Sequence, residues 1–135
     1  TGNPVRPNVL EAAKTPYPPA LKGGKLRLVV FGGSQGARIM GEVVPAALEK
    51  LKSEHLRRIV VTQQARADDA LRVSMHYERV TPHADVQPFF KDLPNRIAES
   101  HLVIARSGAS TVSELAVIGR PAILVPLPGA LDQDQ

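Results

Sequence analysis

Five short apolar runs, alternating with segments of helical character, constrain this chain more than any other feature. They are Leu26 to Phe31, Arg58 to Val61, Ala84 to Phe90, Leu102 to Ala105 and Ala122 to Val125. Most are unbroken rather than alternating, which is the pattern of strands covered on both faces in a parallel sheet. Between them, Ala37 to Lys52 reads as a helix with Ile39, Val43, Ala46, Ala47 and Leu51 near one face. Pro45 lies inside that helix and predicts a kink there, or a start beyond it. Asp68 to Met75 reads as a second helix, with Asp68 and Asp69 suited to its positive start. Pro94 to Ser100 and Val112 to Ile118 read as two more, the last closed by Gly119. Pro88 places the end of the third strand. This alternation predicts an α/β fold, a doubly wound parallel sheet of Rossmann-like type joined by right-handed crossovers. Residues 1–24 carry Pro16, Pro18, Pro19 and several glycines, so they read as an approach segment with a helical turn around Leu10 to Lys14. Residues 25–135 form the domain proper.

The chain of 135 residues is one domain's worth, small for a complete two-site enzyme. It begins at Thr1 rather than Met and stops at Asp132-Gln133-Asp134-Gln135 directly after a strand-like run, so it reads as a fragment cut at its C-terminal end. With no cysteine, disulfides and thiolate metal sites are excluded. No apolar run approaches the roughly 20 residues of a membrane-spanning helix, and no signal peptide is visible. The 17 Lys and Arg against 13 acids leave a net charge of +4. These cations are dispersed and aromatic residues are few, which favours a solvated surface with a mild bias toward anionic ligands over nucleic-acid binding.

Two strand-to-helix turns carry candidate chemistry. Gly32-Gly33-Ser34-Gln35-Gly36 follows the first strand in the right context for phosphate contact. It is not G-x-G-x-x-G, no acidic residue ends the second strand, and the Lys-Ser/Thr of a P-loop is absent. A nicotinamide, flavin or P-loop nucleotide site is therefore disfavoured, and the glycines could equally serve only the turn. The second turn, Arg106-Ser107-Gly108-Ala109-Ser110-Thr111, leads from the fourth strand toward Glu114. On its own, Thr111-Val112-Ser113-Glu114 fits a capping box, with Thr111 as N-cap and Glu114 reaching back to it. The competing role for Glu114 is to accept hydrogen bonds from the two hydroxyls of a ribose while the helix start faces phosphates. The residues alone favour the cap.

His55, His76, His83 and His101 show no metal-ligand spacing, and no G-x-S-x-G elbow is present. Asp132 and Asp134 could pair as carboxylates but equally form a solvated tail.

Taken together, four segments resemble the MurG-type N-acetylglucosaminyltransferases of peptidoglycan synthesis, two-domain glycosyltransferases of the GT-B fold. The segments are Thr1 to Arg6, Gly32 to Arg38, Arg106 to Glu114, and Gly119 to Ala122 leading into Val125-Pro126-Leu127-Pro128. They stand in family order and span essentially the whole chain. The resemblance implies most of the carboxy-terminal half of such an enzyme, the half that binds the nucleotide-sugar donor.

By resemblance, the enzyme transfers N-acetylglucosamine from UDP-N-acetylglucosamine to lipid I, forming lipid II with inversion. Glu114 then matches the ribose-binding glutamate, and Ala109, Ser110, Thr111, Val112 and Ser113 match the helix start approaching the diphosphate. Ser34 matches the donor-contacting serine, and Arg6 the arginine near the base. Phe90 stands where the family's main chain reads the uracil edge, and Gln135 matches a glutamine contacting the sugar hydroxyls, with Asp134 beside it. The resemblance further implies no cofactor and no metal. It places acceptor, general base and membrane contact on an amino-terminal domain outside this chain, so the chain alone is expected to lack transferase activity. It also implies a peripheral enzyme of cell-wall biogenesis, serving cell shape and division at the cytoplasmic face of the bacterial inner membrane. Two other readings remain: a non-catalytic nucleotide-binding module, and a GT-B glycosyltransferase with another acceptor.

Overall fold

The structure is a computed structural model that describes residues 6–19 and 24–126, apart from the side chains of residues 33–36 and 109–110. The elements in chain order are α1 (Pro7–Ala12), β1 (Leu26–Phe31), α2 (Gly33–Leu48), α3 (Ser53–Leu56) and β2 (Ile59–Gln64). They continue with α4 (Ala70–Glu78), β3 (Ala84–Gln87), α5 (Leu93–Ala98), β4 (Leu102–Arg106), α6 (Ala109–Ile118) and β5 (Ala122–Val125). All strand pairs are parallel, in the order β3-β2-β1-β4-β5. The chain builds outward from β1 to β3, then crosses back to lay β4 on the other side of β1. The expected doubly wound sheet is therefore present, and its topological switch point lies between β1 and β4.

Alternation along β1 assigns the two layers. Val29 and Phe31 join Val103 and Ala105 of β4 against α1, α5 and α6, which contribute Val9, Ala12, Ile97, Ala98, Leu115 and Ile118. Leu28 and Val30 join Ile59 and Val61 of β2 against α2 and α4, which contribute Met40, Val44, Val73 and Tyr77. On that second face a groove of about 340 Å³ runs past Leu48, Leu51, Ile104 and Ile123. Tyr77 donates from its hydroxyl to Gln63 Oε1 in this layer. Burial pushes the phenol above its ordinary range.

Three expectations are corrected. The helix after β1 begins at Gly33 rather than Ala37 and runs unbroken through Pro45 to Leu48. Glycine is a poor helix former, by about 1 kcal/mol against alanine, so the first turn looks like loop in sequence. Pro45 only withholds an N–H from the Gly41 carbonyl, while its ring is fully buried. Likewise α6 begins at Ala109, not Val112. The helix in the approach segment starts at Pro7, and Val9 and Ala12 are 1% exposed in the core, so this helix is part of the packed layer. Pro88 does end β3, whose last residue is Gln87.

The amino edge of the sheet is closed by side chains. Arg120, 9% exposed, donates to the carbonyls of Ala98 at 2.8 Å, Ile118 at 2.9 Å and Thr15 at 2.7 Å. Its guanidinium also lies 5.4 Å from the Tyr17 ring, whose hydroxyl donates to the His101 carbonyl at 2.9 Å. One arginine thus ties the ends of α5 and α6 to the segment that leads into the domain. Cations at helix C-termini also oppose the negative end of the helix dipole.

Candidate functional site

At the carboxyl edge, β1 and β4 pair through Phe31 and Ala105. Each strand runs straight into a helix, so the starts of α2 and α6 flank the switch-point crevice. Open α/β sheets bind ligands in that crevice. Both helices have glycine at the N-cap, Gly32 and Gly108, and neither cap makes a side-chain hydrogen bond. In α6 the first helical bond runs from the Val112 N–H to the Gly108 carbonyl at 3.0 Å. The N–H groups of residues 109–111 therefore have no acceptor within the helix, which leaves a positive, donor-rich end.

Gly108 is not demanded by the fold. Its φ of −65° is open to any residue, and a Cβ built on it would meet nothing within 4 Å. Among the described residues nothing fills the space at this helix start, which suits close approach by a ligand. Beside it, the Ser107 hydroxyl is buried with no hydrogen-bond partner among the described residues.

The capping box is overturned. With Gly108 as N-cap, Thr111 is the third helical residue, and Glu114 lies beyond the first turn. Glu114 instead pairs with Arg6, which donates from Nε to Oε2 at 3.0 Å and completes the ion pair with a terminal nitrogen 2.9 Å from the same oxygen. The partners are 108 residues apart in sequence. Arg6 reaches α6 because α1, which follows it directly, packs against α5 and α6. The Glu114 side chain is 20% exposed, and no described residue bonds to Oε1. A carboxylate held by one oxygen and open at the other can accept from a pair of hydroxyls.

Below this pair lies a cleft of about 30 Å³, floored by Val9, Phe31, Leu93 and Ile97 and edged by Thr111 and Glu114. It is too small to enclose a nucleotide.

The loop from Pro88 to Asp92 bounds the crevice on the α5 side. Phe90 is 5% exposed, and the Arg96 guanidinium stands 4.4 Å from its ring centre. Arg96 also donates to Asp92 at 3.0 and 3.1 Å and to Asp85 at 2.8 Å. Burial disfavours ionised Asp85, but hydrogen bonds from Gln87 and Arg96 and the guanidinium charge prevail and hold its carboxyl below the usual range. For Arg96, burial is outweighed in the same way by Asp85 and Asp92, and its charge is held more firmly than usual.

The structure therefore brings Arg6 and Glu114 together, with Thr111 beside them. Val112 and Ser113 lie past the free turn, and Phe90 sits on the neighbouring loop. Ser34 stands in the first turn of α2, but its side chain, like those of Ala109 and Ser110, is outside the described residues. Gln135, Asp134 and Asp132 lie outside them as well, as do residues 1–5 and the Leu127-Pro128 part of the fourth matching segment. Sequence reasoning missed Arg96, whose only signal is its i,i+4 spacing from Asp92. Among the described residues no three His, Cys, Asp or Glu gather as a metal site, and no helix is long and apolar enough to cross a membrane.

Fold and site together define a Rossmann-like α/β domain with an anion-ready crevice and a carboxylate one turn away. Residues 27–135 match the glycosyltransferase family 28 C-terminal domain, and the chain belongs to that family. Over 135 residues it is 61% identical to the UDP-N-acetylglucosamine–N-acetylmuramyl-(pentapeptide) pyrophosphoryl-undecaprenol N-acetylglucosamine transferase of Rhodopseudomonas palustris, covering 100% of this chain and 37% of that protein. It is 64% identical to the protein of the same description from Methylobacterium nodulans, covering 100% of the chain and 36% of the relative. The crystal structure of Acinetobacter baumannii MurG aligns with a TM-score of 0.70 at 30% identity, over 85% of this chain and 34% of that one. The chain spans little more than a third of the length of the relatives it matches.

Proposed function

We propose that this chain is the donor-binding part of an inverting N-acetylglucosaminyltransferase of peptidoglycan synthesis. The donor is UDP-N-acetylglucosamine and the acceptor is lipid I. The observation that carries the reading is Glu114, held through one oxygen by Arg6 beside a helix start whose N–H groups have no acceptor within the helix.

In this reading the ribose hydroxyls donate to Glu114, and the diphosphate faces the starts of α2 and α6. The main chain at Phe90 reads the uracil edge, with Arg6 near the base. Ser34 and Gln135 complete the donor contacts. During transfer the acceptor 4-hydroxyl attacks the anomeric carbon opposite the diphosphate. The bond from that carbon to the diphosphate oxygen breaks, and UDP leaves with the electron pair. The hydroxyl proton passes to a base on a partner domain. The helix N–H groups stabilise the charge that develops on UDP, where fixed dipoles contribute most. Residues 1–24 act as the approach to the donor domain. Acceptor binding and attachment to the cytoplasmic face of the inner membrane belong to the amino-terminal part of such an enzyme. The names of the relatives and the family match support this reading.

Glu114→Gln tests it. The change keeps the shape but removes the charge, and it should weaken UDP binding about tenfold or more in calorimetry. Stability should fall by less than about 1 kcal/mol, since the Arg6 partner is largely solvated. Unchanged UDP affinity would overturn the ribose assignment.

A further inference from the structure

Arg96 touches the loop before α5 at two points and ties it to the sheet. It lies one helical turn from Asp92, the N-cap of α5, and donates to both of that residue's carboxylate oxygens. Its NH1 group reaches Asp85 in β3 and, at 3.5 Å, the Thr62 hydroxyl in β2. Its guanidinium stands over the buried ring of Phe90, 4.4 Å from the ring centre. At the other end of the same loop, Gln64 Nε2 donates to the Pro88 carbonyl at 3.1 Å. The loop is therefore pinned at Pro88 and at Asp92, and between those pins Phe90 is fixed by its ring under the guanidinium. It then leads directly into Leu93 and Pro94, which line the same cleft as Glu114.

A main chain can select one base edge over another only if its donors and acceptors are held still before the ligand arrives. A loose loop can turn its N–H or carbonyl to suit either edge. The fork of an arginine fits this task, because it bonds carboxylates on two elements while its face stacks on an aromatic ring.

We infer that Arg96 is a positioning residue for base selection, fixing the Phe90 main chain through the ring it covers. The inference rests on the donor-site reading above and adds to it a residue remote from the ligand that sets uracil preference.

The test compares UDP with CDP, which share ribose and diphosphate and differ only at the base edge. Calorimetric titrations of the chain should show a UDP preference in the wild type. Arg96→Gln should weaken UDP about tenfold while changing CDP by less than about threefold, so that the ratio of affinities collapses. A residue with only a structural role would lower the melting temperature and leave that ratio alone. Arg96→Lys keeps the charge for Asp85 and Asp92 but loses the planar face. It should melt near the wild type and still lose several-fold of the ratio. An unchanged UDP:CDP ratio in either folded variant overturns the inference. Glu114→Gln separates this failure from failure of the site itself, because it should weaken both nucleotides equally. If it weakens neither, the donor-site reading falls; if it weakens both while Arg96→Gln keeps the ratio, only the role of Arg96 falls.

Discussion

At the amino edge of the sheet the helix ends are closed by side chains, and at the carboxyl edge they are left to the backbone. Helix α6 shows both treatments within ten residues. Its last turn ends at Gly119, whose φ of 77° closes the helix in the left-handed region, and Arg120 then caps the Ile118 carbonyl. Its first turn starts at Gly108, in an ordinary extended conformation, with no side-chain cap. The Ile118 carbonyl at the end of α6 is committed to a side chain within the protein. The N–H groups at its start have no acceptor within the helix. On the proposed reading, the difference assigns stability and recognition to opposite ends of the same helix.

The comparison breaks if changes at the amino edge disturb binding, or if changes at the carboxyl edge disturb mainly stability. The largest effect is expected for Arg120→Gln. It strands up to three carbonyls and should cost about 3 kcal/mol in urea unfolding. Nucleotide affinity of the folded fraction should stay within about twofold, because the carbonyls it serves lie at the far edge. Next comes Gly119→Ala, which forces a Cβ into the left-handed region and should cost about 1–2 kcal/mol, again with affinity intact. The smallest loss of stability is expected for Gly108→Ala, under about 1 kcal/mol, since only an N-cap preference is surrendered. Here affinity should move instead, because the new methyl group occupies open space against the helix start. A Gly108→Ala variant that binds UDP as the wild type does would remove the reason given for that glycine.

The strands were legible because burial on both faces writes itself directly into unbroken apolar runs. Leu102 to Ala105 and Ala122 to Val125 fall within a residue of β4 and β5. Helix starts were not, because the residues that open them are small. Gly33 and Gly36 in α2, and Ala109 and Ser110 in α6, are small residues that read as loop, yet the packed helices extend through them. The short helix α3 carried no periodic signal at all. Local reasoning also gave Glu114 to a cap four positions wide, whereas its partner is Arg6, 108 residues away. Arg120 and Arg96 escaped for the same reason. Each owes its role to groups from separate elements, such as Thr15, Ala98 and Ile118 for Arg120, which only the fold assembles. The motifs of the candidate site could be read from the chain; of the side chains that hold them in place, Arg6 was named for another role, and Arg96 and Arg120 were given none.

The most direct test of the central claim is calorimetric titration of the chain with UDP and with ADP under identical conditions. If the helix starts, Glu114 and the Phe90 loop form a uridine-nucleotide site, UDP should bind and ADP should bind at least about tenfold more weakly, since the two share ribose and diphosphate and differ in the size and edge of the base. Equal or tighter binding of ADP, or no binding of UDP, would contradict the account.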